Sequence, residues 1–146
     1  MAVSSFSAAR RICLRAGWTL TNLQLQKILY IAHMIHIGRT GGNRLISSSF
    51  QAWDYGPVEP TLYHRVRIFG DKAIQNIFFA ATDVADSAEA SLLDTACDRL
   101  SKLKPSQLVA MTHKPGGAWA KNYKPGVLGI VIPDADIIAE FATYAG

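Results

Sequence analysis

The segment from Thr21 to Ile37 constrains the fold of this chain more than any other part of the sequence. Thr21 followed by Gln24 matches a capping box, in which each side chain accepts a backbone N–H at the start of a helix. On a helical wheel the segment is apolar on two sides, and Lys27 carries its only formal charge. The sequence therefore predicts a central helix, packed between neighbours, that ends at Gly38.

The spacing of apolar residues and helix breakers predicts further helices around this central one. Pro60 suits the first turn of a helix, and Asp86 with Glu89 matches a second capping box. The other predicted helices cover residues 5–16, 60–69, 86–103, 105–111 and 134–144. These segments make the chain mainly α.

The predicted β content is small. Residues 45–46 and 50–53 are short apolar runs around serines, a pattern typical of a hairpin. Residues 127–132 resemble a strand, and residues 72–81 fit a helix or a strand equally. The sequence thus predicts a single compact helical domain over residues 1–146, with a small antiparallel hairpin or sheet.

Composition restricts the class of protein. The chain has 146 residues, of which 49% are hydrophobic and 18% charged, so it can bury a core and is not disordered. No apolar run approaches the roughly 20 residues that cross a bilayer, and no secretory segment is evident. Cys13 and Cys97 stand alone, which argues against a disulfide framework or a zinc site. We expect a cytoplasmic protein that is not attached to a membrane.

Charge is distributed unevenly along the chain. Residues 1–53 contain no acidic residue, and residues 82–100 contain five. In residues 102–124 every charged residue is a lysine. This pattern predicts a basic face and an acidic face, with Arg10, Arg11 and Arg15 as charges that face a partner. A nucleic-acid-binding regulator is the alternative that this basic stretch supports, although no recognition helix is evident.

The sequence offers little for catalysis. His33 and His36 lie three residues apart on the central helix, but no carboxylate or thiol is near them in sequence, so we expect neither a metal nor a cofactor. A hydrolase that uses His113 with Cys13 is a second alternative, based on residue type alone. We therefore predict a protein that is not an enzyme.

Two aromatic turns are the remaining candidates for function. Trp53 and Tyr55 flank a turn that Gly56 and Pro57 constrain, and such turns present either rigid binding residues or caps on the core. A second turn follows the helix predicted to end near Met111. It begins at Thr112-His113 and leads to Trp119.

Three motifs in order give the chain a family resemblance. Residues 20–30, residues 50–58 and the pair Thr112-His113 followed by Trp119 resemble the motifs of the Panacea antitoxin family, also described as SocA-like or phage-associated GepA-like. The residues that the resemblance singles out as a structural or binding motif are Lys27, Tyr30, Trp53, Tyr55, Gly56, Pro57, Thr112, His113 and Trp119. Residues 114–118 depart from the family pattern, which usually has an acid and a Pro-Trp after the Thr-His pair.

The resemblance implies a module that binds and neutralises a cognate toxin, either by direct contact or by delivering it to a protease. Family members pair with unrelated toxins, so the resemblance does not imply which toxin is bound. We expect a hydrophobic groove between the central helix and the Trp53–Pro57 turn as a feature of the fold.

Overall fold

A computed structural model describes residues 2–145, which form seven α-helices and one β-hairpin. The elements are α1 (Ser5–Arg15), α2 (Asn22–Arg39), β1 (Gln51–Trp53), β2 (Gly56–Val58), α3 (Pro60–Val66) with a 3-10 turn (Arg67–Phe69), α4 (Ala88–Leu100), α5 (Pro105–Thr112), α6 (Ala118–Asn122) and α7 (Asp134–Ala145). The mainly α class with a small antiparallel sheet is confirmed.

Helix α2 lies at the centre, as predicted. Thirteen of its eighteen residues are buried, and it packs against α1, α3, α4, α5, α7 and β2. Its capping box is present: the Thr21 N–H donates to Gln24 Oε1 at 2.9 Å and the Gln24 N–H donates to Thr21 Oγ1 at 3.3 Å. The predicted end at Gly38 is wrong, since the helix continues to Arg39. Gly38 instead allows close packing, because a Cβ there would lie 2.2 Å from the ring of Phe141 in α7.

The hairpin predicted from residues 45–46 and 50–53 is wrong. The antiparallel pair is β1 with β2, in the register Gln51 to Val58. Residues 45–47 pair instead with the N-terminal segment, where the Val3 N–H donates to Leu45 O at 2.8 Å. The turn residues that follow Trp53 decide the pairing, since they bring β2 back onto β1.

Other boundaries also differ from the sequence prediction. Helix α4 begins at Ala88 with Ser87 as its cap, so the Asp86–Glu89 capping box is wrong. Residues 72–81 form neither helix nor strand and are held by buried Ile74 and Phe78. Residues 127–132 supply one antiparallel bridge, Val131 to Gln51, rather than a strand. None of the helices in the described range has both the length and the apolar character needed to cross a membrane.

Candidate functional site

The turn between β1 and β2 is the first component of the site. Trp53 pairs with Gly56 across the hairpin, which leaves Asp54 and Tyr55 as the turn residues. Gly56 has a φ of +112°, where L side chains are rare, and a Cβ there would lie 2.6 Å from Lys27 Nζ. The position therefore requires glycine both for its backbone conformation and for space. Tyr55 is 74% exposed at the tip of the turn.

An aromatic stack fixes the back of this turn. The ring of His113 is stacked on Trp119 at 3.9 Å, and Trp119 is stacked on Tyr123 at 4.6 Å. The Trp119 indole N–H donates to Trp53 O at 2.6 Å, and the Tyr123 hydroxyl donates to Asp54 Oδ1 at 2.5 Å. Helix α6 and the residue that follows it are thus joined to the β1–β2 turn by two hydrogen bonds, although residues 114–118 depart from the family pattern.

Lys27 lies buried beneath the same turn. Its side chain is fully buried, and its ammonium donates one long hydrogen bond, to Pro57 O at 3.4 Å. No carboxylate of residues 2–145 forms an ion pair with it, so burial lowers the pKa of Lys27 to about 7. The Cβ position of Gly56 also lies 3.1 Å from His113 Nε2 and 3.2 Å from Thr112 Oγ1, so these polar atoms surround one point. Burial lowers the pKa of His113 as well.

Most of the motif residues therefore converge in one place, which we call the turn cluster: Lys27, Trp53, Gly56, Pro57, Thr112, His113, Trp119 and Tyr123. Thr112 contributes from the end of α5, where its hydroxyl donates to Val109 O at 3.1 Å. Tyr55 belongs to the same turn but extends into solvent.

Tyr30 belongs to a different contact. Its hydroxyl donates to Glu140 Oε1 at 2.8 Å, and the Ala118 N–H donates to the same oxygen at 3.0 Å. Burial and the neighbouring Glu140 carboxylate raise the pKa of Tyr30 above its usual range. This buried contact joins α2, α6 and α7, so we assign Tyr30 a structural position rather than a surface one.

A groove lies between α2 and the β1–β2 turn, as the sequence led us to expect. Its volume is about 650 Å³, which is within the range of ligand-binding pockets in proteins. Leu23, Ala52, Trp53 and Val58 supply apolar lining, and Leu128 stands at its edge with 91% exposure. Lys27 and Trp53 are the members of the turn cluster that line this large, mostly apolar concavity.

Three arginines of the basic N-terminal block contact the acidic block of residues 82–100, so these arginines do not form a basic face separate from it. Arg11 makes two 2.8 Å hydrogen bonds to Asp94, and Arg15 bonds Asp98 at 2.7 and 2.8 Å. Arg10 pairs with Asp83 at 2.9 Å. We call this contact, mainly between α1 and α4, the arginine seam. Its arginines are engaged within the chain rather than free for a partner, while their role toward a partner stays a prediction.

The remaining candidates for chemistry lie in the core. The His33 Nδ1 accepts the Ile46 N–H at 3.1 Å, and no group of three metal-binding side chains occurs among the residues that the structure describes. Cys13 is fully buried, and burial raises its pKa to about 12. A thiol with such a pKa is a poor nucleophile, so the structure lends no support to a Cys13–His113 hydrolase.

Three polar contacts near the site, made by Gln26 with Glu59, by Glu140 and by Tyr123, were not predicted. Gln26 and Glu59 exchange hydrogen bonds at 3.2 and 2.8 Å, which fixes β2 against α2. Glu140 was missed although the sequence carries a signal for it, since it is a lone acid among the apolar residues Ile137, Ile138 and Phe141. Nothing in the sequence around Tyr123 indicated its contact with Asp54.

Comparison with known proteins now gives the family. The sequence model of the family described as antitoxin SocA-like, Panacea domain, matches residues 25–120 of this chain. The chain belongs to this family. The matched region contains the motif residues from Lys27 to Trp119, whereas α1 and α7 lie outside it. The family match thus contains the turn cluster up to Trp119 and excludes the α1 arginines of the arginine seam.

A curated member of the SocA-like family is also similar to this chain. It is the antitoxin SocA of Caulobacter vibrioides, which is 31% identical over 113 residues. The alignment covers 68% of this chain, and the chain spans 58% of that relative's length. No solved structure matches the chain.

Proposed function

We propose that this protein is an antitoxin that neutralises a cognate toxin by protein–protein contact. The family membership carries this proposal, together with the name of the similar protein from Caulobacter vibrioides. The groove and the exposed aromatic Tyr55 support it, since a concave apolar surface with aromatic residues suits protein recognition. The pairing of the α1 arginines within the chain gives no support to the nucleic-acid alternative.

Co-expression with the product of the adjacent gene tests the proposal. We expect the neighbour to arrest growth when it is expressed alone, and growth to return when this protein is present. A complex of the two chains should co-elute in gel filtration. A neighbour that is harmless alone, or a mixture whose chains elute separately with growth unrestored, would contradict the proposal.

The mode of neutralisation follows from the amount of toxin in the rescued cells. Direct blocking predicts a stable toxin held in the complex, and this is the mode that we propose. Delivery to a protease predicts that the toxin becomes short-lived when this protein is present and long-lived again in protease-deficient cells. A pulse-chase measurement of the toxin separates the two modes.

A further inference from the structure

Residues 128–132 run along one edge of the small sheet, which we call the open edge. Two backbone hydrogen bonds of 2.9 Å join Ile130 and Ile132 to the outer side of β1. Since backbone groups alternate sides along an extended segment, the N–H and C=O of Val131, between these two bonds, point away from β1. Neither group has a hydrogen-bond partner among residues 2–145.

The opposite edge of this sheet is closed. All three residues of β2 are buried, and Gln26 of α2 exchanges hydrogen bonds with Glu59 directly after β2. The edge at Val131 is therefore the single one that the described residues leave open on this sheet. An exposed edge with free backbone groups is a template for pairing with another chain, and a sheet with one such edge pairs once and then closes.

The side chains along the open edge are apolar and exposed. Val127 is 47% exposed, Leu128 91% and Val131 50%, and no residue from 125 to 133 carries a charge. Short uncharged segments with β-branched residues readily pair with strands of other chains. A proline stands at each end of this segment, and because proline has no N–H the pairing is limited to the few residues between them.

The charges at the two ends of the open edge favour another copy of this chain as the partner. Lys124 is exposed before the segment, and its carbonyl accepts the Val127 N–H at 3.1 Å, which holds Lys124 beside Val127. Asp134 follows the segment at the start of α7, and its contact with Arg44 is long, at 3.5 Å. One end of the edge is therefore basic and the other acidic. An antiparallel copy places each end beside its opposite, whereas a parallel copy would bring like charges together.

We propose that two copies of this chain associate through the open edge, antiparallel about a two-fold axis at Val131. The two Val131 residues exchange backbone N–H···O bonds. Each copy covers Val127 and Leu128 of the other, and Lys124 of each copy lies near the other copy's Asp134. This dimer goes beyond the antitoxin function proposed above and does not depend on it, since it forms without a toxin.

Sedimentation equilibrium of the full-length protein measures the association. We expect a mass that approaches twice that of the chain as the concentration rises. Val131→Pro removes the outward N–H and leaves both bonds to β1 intact, so its dimer should be weaker by about tenfold or more. Val131→Ala keeps the N–H and is the control, with a smaller effect. Leu128→Ser should also weaken the dimer, and because Leu128 is so exposed this variant should fold normally and keep the test decisive if Val131→Pro does not fold.

A charge exchange tests the antiparallel arrangement. Lys124→Glu and Asp134→Lys, each alone, turn both ion pairs of the interface into repulsions, so each variant should dimerise about tenfold more weakly. In an equal mixture, one copy of each variant brings opposite charges together at both ends, and the mixture should regain association like that of wild type. Lys102→Glu, at an exposed lysine between α4 and α5, should associate like wild type and provides the control.

Several results would overturn the proposal. They are a wild-type protein that stays monomeric up to millimolar concentration, a dimer that Val131→Pro and Leu128→Ser both leave unchanged, or a mixture of charge variants that associates no better than each alone. If wild-type protein is monomeric and captures a toxin that Val131→Pro fails to capture, the open edge binds the toxin and the second copy is wrong. A dimer that loses its affinity in these variants but neutralises no toxin would support the open edge and contradict the antitoxin role.

Discussion

The turn cluster and the arginine seam hold helices together by opposite physical means. In the turn cluster, stacked rings and a partly buried hydrogen bond lie near a buried lysine that has no ion-pair partner among residues 2–145. In the arginine seam, each arginine has a carboxylate partner, but the pairs lie near solvent. Ion pairs at a surface contribute little to stability, whereas a buried charge without a partner lowers it. The comparison indicates that the buried Lys27 lowers the stability of the turn cluster, whereas no buried unpaired charge lowers that of the arginine seam.

The largest expected effect tests how tightly the turn cluster is packed. Gly56→Val places a β-branched side chain at a φ of +112° and a Cβ 2.6 Å from Lys27 Nζ. We expect a loss of about 4 kcal/mol or more in the free energy of unfolding, or no folded protein, in thermal melting followed by circular dichroism. Gly126→Val is the control, because Gly126 also has a positive φ but no described atom lies within 4 Å of its Cβ position. Equal losses would show that backbone strain alone is responsible.

The second prediction concerns Lys27 and pH. In the folded protein its pKa is about 7, below its ordinary value, so between about pH 7 and pH 10 the unfolded chain binds the additional proton and stability rises with pH. Lys27→Met removes this proton linkage. We expect the variant to be more stable than wild type at pH 6 by a few kcal/mol, and the difference to shrink toward pH 10.

Urea unfolding of both proteins at pH 6, 8 and 10 measures this difference. Lys102→Met provides the control, since Lys102 is exposed and we expect a difference from wild type that hardly depends on pH. A gap between wild type and Lys27→Met that stays constant from pH 6 to pH 10 would show that Lys27 remains charged in the folded protein.

The third prediction concerns the contact of Tyr30 with Glu140, which lies beside the turn cluster. Tyr30→Phe removes the hydroxyl that donates to Glu140 Oε1 at 2.8 Å and leaves a buried carboxylate with one fewer donor. We expect a loss of about 1–3 kcal/mol in the free energy of unfolding by urea. Tyr144→Phe, at a half-exposed tyrosine of the same region, should change stability by less than about 0.5 kcal/mol. Similar values for the two variants would argue that Glu140 finds another donor.

The smallest effect belongs to the arginine seam. A double-mutant cycle of Arg11→Ala and Asp94→Ala should give a coupling of about 1 kcal/mol, since both side chains are partly exposed. The Arg11 guanidinium lowers the pKa of Asp94, so this contribution is present at neutral pH and is lost as the pH falls through the lowered value. Urea unfolding in 1 M salt should reduce the coupling. A coupling of several kcal/mol that does not fall in 1 M salt would show that the arginine seam, like the turn cluster, is shielded from solvent.

Local sequence patterns predicted the parts of the fold that local physics controls. The capping box of Thr21 and Gln24 and the two apolar sides of α2 were enough to place the central helix. The pairing of β1 with β2 was not predicted. Local sequence is compatible both with a hairpin turn at the serines of residues 45–50 and with one before Gly56, and it does not decide between them. Residues 72–81 were ambiguous for the same reason, since their apolar residues pack singly against distant elements.

The sequence by itself determined the family, the mainly α class and the central position of α2, since ordered motifs and helical periodicity are properties of neighbouring residues. Only the tertiary structure decided that Arg11 meets Asp94, more than eighty residues away along the chain, and that Lys27 lies beneath Gly56 with no carboxylate of residues 2–145 paired to it. Charge pairing and desolvation depend on distances in space. For that reason, a block of arginines that looked free in the sequence is engaged within the fold, and a lysine that looked ordinary is buried without an ion pair among the described residues.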